Sequence, residues 1–492
     1  MHERMPNWLY KRANLTPDRI AIEFEGEHIS FFQLHLRATS LARKLASFQI
    51  KSGDSVAFLL ENGIHTVEII HALEYLGATI VPLNSRLTAS ELHYQLHDSN
   101  PKVLIYDDSF ANNALEACDK LKTRALRFQD VASMDELETT IRTEIHLDEH
   151  HTIMYTSGTT GSPKGVILTY GNHWWSAIGS SLNLGLHEND KWLCAVPMFH
   201  MSGLSIVIRS VIYGIPIVIQ KRFQPEKVNE AIVNDSVTIV SVVSAMLSQI
   251  LQRQTNNYPK SFRCMLLGGG PAPLPLLEKC TERKIPVYQT YGMTETASQI
   301  VTLSSEYMLK KIGSAGKPLF HSNIKIENNG VLTPPNEVGE IIVRGPTVTK
   351  GYLHRNEETK KTIKNGWLYT GDLGYLDEDG FLYVIDRRSD LIISGGENVY
   401  PAEIEATLLS HPKVVDAGVT RISDKTWGQV PIAFVVTTSE VTEQQLLNFC
   451  KEKLARYKLP KRIYFAHKLP RNGANKLLRR ELIHLIDEGR NR

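Results

Sequence analysis

Residues 225–292, PEKVNEAIVNDSVTIVSVVSAMLSQILQRQTNNYPKSFRCMLLGGGPAPLPLLEKCTERKIPVYQTYG, decide the fold. Three stretches with apolar residues at helical spacing, PEKVNEAIVN, AMLSQILQ and PLLEKCTE, alternate with three β-branched or apolar runs, VTIVSVV, CMLLGGG and PVYQTYG. Strands separated by helices pair in parallel, because a crossover of helix length is what returns the chain to the same end of the sheet. The expectation is a doubly wound α/β layer, which binds its ligands beyond the carboxyl ends of its strands. Two glycine-containing segments, GGGPAP at 268–273 and the stretch from Gly292, begin at those ends.

The same rhythm extends toward the N-terminus. Within the first 110 residues the helical stripe FFQLHLRATSLARKLA alternates with SVAFLL, ATIVPL and KVLIYD, which predicts a second doubly wound layer. MDELETTIRTEIHLDEHH at 134–151 reads as a surface connection that delivers the strand TIMYTSG into a loop. Between about 312 and 386 short strands and turns take over, as in IKIENNGVL, GEIIVRGP and EDGFLYVIDRR, and predict a small β-rich, barrel-like unit. A fresh α+β pattern starts near 390 with LIISGGENVYPAEIEATLLS. At roughly 150 residues per domain, 492 residues make about three folding units. The expected division is a large N-terminal α/β region, 1–386, and a small mobile α+β domain, 387–492.

With 42% hydrophobic and 22% charged residues, the chain can bury large cores and is neither disordered nor fibrous. Its 55 Lys and Arg against 53 Asp and Glu leave a net charge of +2, which gives no global electrostatic case for nucleic acid or a membrane surface. Cys118, Cys194, Cys264, Cys280 and Cys450 are odd in number, scattered and without metal-ligand spacing, as expected of ordinary thiols in a reducing cytoplasm. Neither a signal-peptide h-region nor an apolar run of about 18 residues is seen, so no membrane insertion is expected. The sequence leaves the oligomeric state open, a homo-oligomer included. Charge balance hides one asymmetry: residues 451–480 carry eleven Lys and Arg and a single acid, Glu452. Such a basic face is expected to meet an anionic small molecule.

Chemistry concentrates in residues 155–166, YTSGTTGSPKGV. Glycines let the backbone approach a polyphosphate, Thr156, Ser157, Thr159 and Thr160 supply hydroxyl donors, and Lys164 adds a compact positive charge. This is a phosphate cradle but no Walker A loop, because Lys164 follows Pro163 and precedes Gly165.

The segment resembles the phosphate loop of the adenylate-forming superfamily, which includes acyl-CoA synthetases, luciferases and peptide-synthetase adenylation domains. Four more motifs similar to the family's follow in order: QTYGMTET at 289–296, YTGDLGY at 369–375, DRRSDLIISGGENVYPAEIE at 386–405 and RNGANKLLRREL at 471–482. The resemblance implies a two-step reaction. A carboxylate attacks the α-phosphate of ATP to give an acyl-adenylate and pyrophosphate, and a thiol then displaces AMP. ATP, coenzyme A and a small carboxylic acid are the implied substrates, with Mg²⁺ as the cofactor.

Residue by residue, the resemblance implies that Thr156, Ser157, Gly158, Thr159, Thr160 and Lys164 hold the phosphates, and that Glu295 and Thr159 hold Mg²⁺. It places Tyr291 against adenine, with Gly269, Gly270 and Pro271 beside the base and Gly292 and Thr294 completing the nucleotide site. Asp372 would accept from both ribose hydroxyls, and Arg387 would reach ribose and phosphate. Lys476 would bridge the attacking carboxylate and the α-phosphate. Gly395 and Gly396 would line a pantetheine tunnel once the small domain has swung about Ser389, a position that is Asp or Lys in many relatives. The family's usual threonine–glycine pair is missing from the loop 472–475, Asn-Gly-Ala-Asn, that leads to Lys476.

The acyl site is read from Pro197-Met-Phe-His200 and the apolar helix MSGLSIVIRSVIYG that follows, interrupted by Arg209. A guanidinium is rarely buried unless paired, so Arg209 needs an anion. That anion is either an internal Asp or Glu or a second carboxylate on the substrate. His200 either starts the helix or acts in catalysis on the path between ATP and the acyl group, with Gly268 beside the substrate.

Overall fold

The computed structural model describes residues 3–156, 163–269, 272, 274–386, 391–470, 477 and 479–486. The stretch 225–292 folds as its pattern requires: helices Pro225–Asn234, Ser244–Arg253 and Leu274–Glu282 alternate with strands Ile239–Val243, Cys264–Gly268 and Val287–Met293. Pro225 occupies the first turn, where its missing N–H costs nothing. The three strands are parallel neighbours, and Trp192–Cys194 and Ile217–Ile219 extend the parallel layer on the other side.

From Val287–Met293 the ladder turns antiparallel through Ser298–Leu303 and Ser314–Pro318. It continues into the β-rich strands Asn323–Asn328, Gly339–Arg344, Trp367–Leu376 and Leu382–Asp386. The β-rich unit is therefore joined to the layer of residues 225–292 by an unbroken path of paired strands.

The other layer is a seven-stranded sheet. Ser55–Leu59, Thr79–Pro82, Val103–Tyr106 and Arg124–Arg127 pair in parallel, and His150–Thr156 with Lys164–Thr169 adds an antiparallel hairpin at one side. Helix Phe31–Ala46 starts at a capping box in which Ser30 and Gln33 satisfy each other's backbone N–H. Its buried stripe, Phe31, Leu34, Ala38, Leu41 and Leu45, joins a core fed from both sheets, with Phe58 and Ile80 from one and Cys194 and Ile239 from the other. The connection after residue 134 is pinned at Glu144–His146, which pairs with Arg4–Pro6.

Among the described residues, strands from Ile392 onward pair only with one another, as Ile392–Ser394, Glu397–Val399, Val414–Asp424, Gly428–Thr437 and Ile463–Phe465. Helices Pro401–Leu409 and Glu443–Lys451 cover that sheet around an apolar cluster containing Ile392, Ile404, Leu408 and Leu446. Ala455 instead packs with Ala57, Leu59, Leu87 and Leu92 of the N-terminal region and docks the small unit onto it. All five cysteines are free, and among the described residues no helix is long and apolar enough to cross a membrane.

Candidate active site

Thr156 ends one strand of the hairpin and lies in register with Lys164, which begins the next. The turn between them, with Ser157, Gly158, Thr159 and Thr160, lies outside the described residues. The buried Lys164 ammonium pairs with Glu358 on helix Asn356–Thr362 and stands 5.5 Å from the ring centre of Tyr352. The Tyr352 hydroxyl donates to Glu295 Oε1 at 3.0 Å. Glu295 itself is buried on the single turn Thr294–Thr296, directly after strand Val287–Met293. Tyr352 thus ties the lysine of the cradle to the carboxylate expected to face the metal.

This donor set suits Mg²⁺, a hard cation that usually takes one or two carboxylates and completes its shell with phosphates and water. Among the described residues no group of three or more His, Cys, Asp or Glu forms an all-protein metal cage.

Asp372 is buried, and its Oδ2 accepts from the Tyr291 hydroxyl at 2.7 Å. The residues expected at ribose and adenine are therefore joined, although 81 positions separate them. Tyr291 packs beside Ile300 and Val301, so one edge of its ring belongs to the β-rich core. A Cβ at Gly292 would come within 2.0 Å of the Ser298 carbonyl oxygen, which makes close backbone approach sufficient reason for that glycine. Gly270, Pro271 and Arg387 lie outside the described residues.

His200 precedes helix Met201–Tyr213 without a side-chain cap to it, and Arg209 lies farther along the same helix. Arg209 is 2% exposed. Its Nη2 donates to Ser176 Oγ at 3.3 Å, and its guanidinium lies 5.4 Å from the ring centre of Trp192. Among the described residues no carboxylate pairs with Arg209, and its Nε finds no partner. Burial pushes its pKa below the ordinary arginine range. The neighbouring His173 is pushed well down too, by burial first and then by His151, so it adds no second positive charge beside the guanidinium. Of the two anions open to Arg209, the internal acid is not found among the described residues.

The C-terminal unit brings one loop to this site. Gly395 and Gly396 both have positive φ, +58° and +89°, which favours glycine. A Cβ at Gly395 would meet the Trp427 ring at 2.6 Å, and one at Gly396 would lie 3.1 Å from Val243 Cγ2. The other methyl of Val243 is 3.1 Å from the Cβ position of Gly269, so Gly396 and the nucleotide-side loop after Gly268 face the same side chain.

Glu397, the next residue, is buried and accepts from His200 Nε2 at 3.0 Å while pairing with Arg86. Burial raises the Glu397 carboxyl, but His200 and then Arg86 outweigh it and hold it below the ordinary glutamate range. Ser389 and Lys476 lie outside the described residues.

Four of the eleven cations in the basic segment pair with protein acids among the described residues. Lys461 pairs with Asp424, Arg462 with Glu443 and Arg479 with Glu405, while Lys458 holds both Glu91 and Glu403. Lys451 and Arg456 instead line a cavity of about 670 Å³ shared with Arg86, Thr88, Ser90 and Asn113 of the N-terminal region. Sequence reasoning missed Tyr352, Glu358, Glu397, Arg86 and Ser176. Only Glu397 carried a signal, as the residue that follows the glycine pair.

The AMP-binding enzyme family matches residues 9–353, and the AMP-binding enzyme C-terminal domain matches 403–476. The chain belongs to the AMP-binding enzyme family, the adenylate-forming class that its cradle and nucleoside residues describe. Within that class, a 2-succinylbenzoate–CoA ligase from Bacillus cytotoxicus is 55% identical over 487 residues, 99% of this chain and 100% of the relative. A double mutant of o-succinylbenzoate CoA synthetase from Bacillus subtilis, bound with its product analogue, is 49% identical with a TM-score of 0.95, covering 98% of each chain. The same synthetase in complex with its acyl-adenylate intermediate has the same identity and coverage but a TM-score of 0.78.

Proposed function

We propose that this chain is an ATP-dependent ligase that activates o-succinylbenzoate as the acyl-adenylate and transfers it to coenzyme A, yielding o-succinylbenzoyl-CoA, AMP and pyrophosphate in menaquinone biosynthesis. The observation that carries the substrate is Arg209, a buried cation with no acid partner among the described residues. Nine positions of helix between His200 and Arg209 amount to about 14 Å of rise, and the arginine leans back toward the helix start. That interval suits a small dicarboxylic acid with one carboxylate on Arg209 and the other near His200. A fatty acid would leave the guanidinium unpaired.

In the first step the free carboxylate oxygen attacks the α-phosphorus, and the bond to the β-phosphate oxygen breaks as pyrophosphate leaves. Lys164 would release Glu358 to take phosphate, Asp372 would hold the ribose hydroxyls, and Lys476 would offset the charges that converge at the α-phosphate. Glu295 and Thr159 would hold Mg²⁺, which when bound neutralises phosphate charge. In the second step the sulfur of coenzyme A bonds to the acyl carbon, and the bond to the AMP oxygen breaks.

Residues 387–492 act as a lid that pivots near Ser389 between the steps. Gly395 and Gly396 would leave the thiol room to pass, and Arg86, Lys451 and Arg456 would meet coenzyme A phosphates in the shared cavity. Free thiols fit a reducing cytoplasm, and the partners are small molecules.

Pyrophosphate exchange across a panel of aromatic mono- and dicarboxylic acids tests the reading. o-Succinylbenzoate should stand out in the wild type, and a preference for monocarboxylates would dismiss it.

A further inference from the structure

Lys458 belongs to the single turn Arg456–Lys458 of the small domain and is 3% exposed. Its Nζ donates to Glu91 Oε1 at 2.6 Å and to Glu403 Oε1 at 2.7 Å. Both carboxylates are buried. Glu403 is in the same domain, at the start of helix Pro401–Leu409. Glu91 is 367 positions away in the other region, in the first turn of helix Ala89–Ser99.

The two contacts differ in what a domain rotation does to them. Lys458 and Glu403 move together, so their pair survives. Lys458 and Glu91 sit on opposite sides of the pivot, so their pair exists only in an arrangement like this one. Glu91 has a second use that does not depend on the lysine: its Oε2 accepts from the Thr88 backbone N–H at 2.8 Å and from the Thr88 hydroxyl at 2.9 Å as part of a capping box. When the domains part, the carboxylate keeps its helix cap and regains water on the other oxygen.

Two further features join at the same seam. Tyr457, next to Lys458, packs against apolar clusters of both regions and accepts from Asn84 Nδ2 at 3.4 Å. Glu403 lies six positions after Glu397, so the strand and turn that present Gly395 and Gly396 lead directly into the helix that Lys458 grips. The whole chain superposes at a TM-score of 0.95 on the product-analogue complex but at 0.78 on the acyl-adenylate complex, with identity and coverage equal.

We infer that Lys458 and Glu91 form an interdomain latch that selects the arrangement in which the acyl group passes to the thiol. Both are positioning residues that touch no substrate, and the inference rests on the two-step ligase reading above. A latch confined to one arrangement changes the population of that arrangement and leaves chemistry in the other untouched.

Glu91→Gln removes the charge while keeping an acceptor able to complete the capping box at that position. The test measures the two half-reactions separately, as pyrophosphate exchange with o-succinylbenzoate and as single-turnover transfer from supplied o-succinylbenzoyl-adenylate to coenzyme A. Transfer should slow by about tenfold or more while exchange stays within about twofold. Lys458→Gln, the second variant, should show the same split. Equal slowing of both half-reactions, or unchanged transfer, overturns the latch. A wild-type chain that exchanges pyrophosphate but makes no thioester overturns the coenzyme A reading instead, and that result is visible before any variant is compared.

Discussion

Arg209 and Lys458 are both buried cations, 2% and 3% exposed, in opposite electrical surroundings. Lys458 is gripped by two carboxylates, whereas Arg209 touches a serine hydroxyl and an indole face. Leaving a charge uncompensated in the interior costs on the order of 3–5 kcal/mol relative to the intact pair. Lys458 avoids that cost with protein acids and so serves to hold two regions together. Arg209 would recover it when an anion enters, as the second carboxylate of the proposed substrate would.

The largest effect is expected at a third cation, Lys476, proposed to act on the reacting atoms themselves. Lys476→Ala should lower adenylate formation by about a thousandfold while transfer from a supplied adenylate stays near wild type; equal losses in the two half-reactions would remove Lys476 from the first step. Next, Arg209→Ala should lower kcat/KM for o-succinylbenzoate by about a hundredfold and leave aromatic monocarboxylic acids little changed. A uniform change across both kinds of acid would erase the distinction between the two cations.

The contrast can also be broken by design. Ser176→Asp gives Arg209 the acid it lacks and makes it resemble Lys458. Affinity for the dicarboxylate should drop about tenfold, measured by calorimetry, with the thermal midpoint held or raised. Unchanged affinity would mean that Arg209 does not face the substrate.

The smallest effect concerns a buried anion in the same core. Glu74 accepts from His71 Nδ1 and from His151 Nε2, each at 2.8 Å. Burial alone would raise its carboxyl, but His71 and His151 outweigh burial and hold it down to about 2, against an ordinary value of 4.5. A carboxyl held lower in the folded than in the unfolded chain stabilises fully above the ordinary value and loses that contribution as pH falls toward the folded one. The thermal midpoint should therefore fall between pH 4.5 and 2, and Glu74→Gln should flatten the fall by about 2–4 °C. Parallel curves for the two proteins would show that Glu74 is not the titrating group.

Much of the architecture was legible because its causes are local. Helix Pro225–Asn234 coincides with PEKVNEAIVN, and helix Phe31–Ala46 with FFQLHLRATSLARKLA, since apolar period and caps lie within a few residues of each other. Among the site residues, Lys164, Glu295, Asp372, Gly395 and Gly396 could be picked out by motif. Their partners could not: Glu358 meets Lys164 across 194 positions, and Arg86 meets Glu397 across 311. The ion pairs of the basic segment were hidden for the same reason. Its charge was plain in the sequence, but Glu405, Asp424 and Glu443, which pair with three of its eleven cations, lie upstream in elements that return to it only on folding.

The sequence alone was enough for the α/β layers, the phosphate cradle and the presence of a charge inside an apolar helix, because periodicity, loop chemistry and residue type act over short distances. Folding settled which buried cations find an acid. That outcome depends on where distant segments meet, and it separates Arg209, left beside a serine hydroxyl and an indole, from Lys458, closed between Glu91 and Glu403.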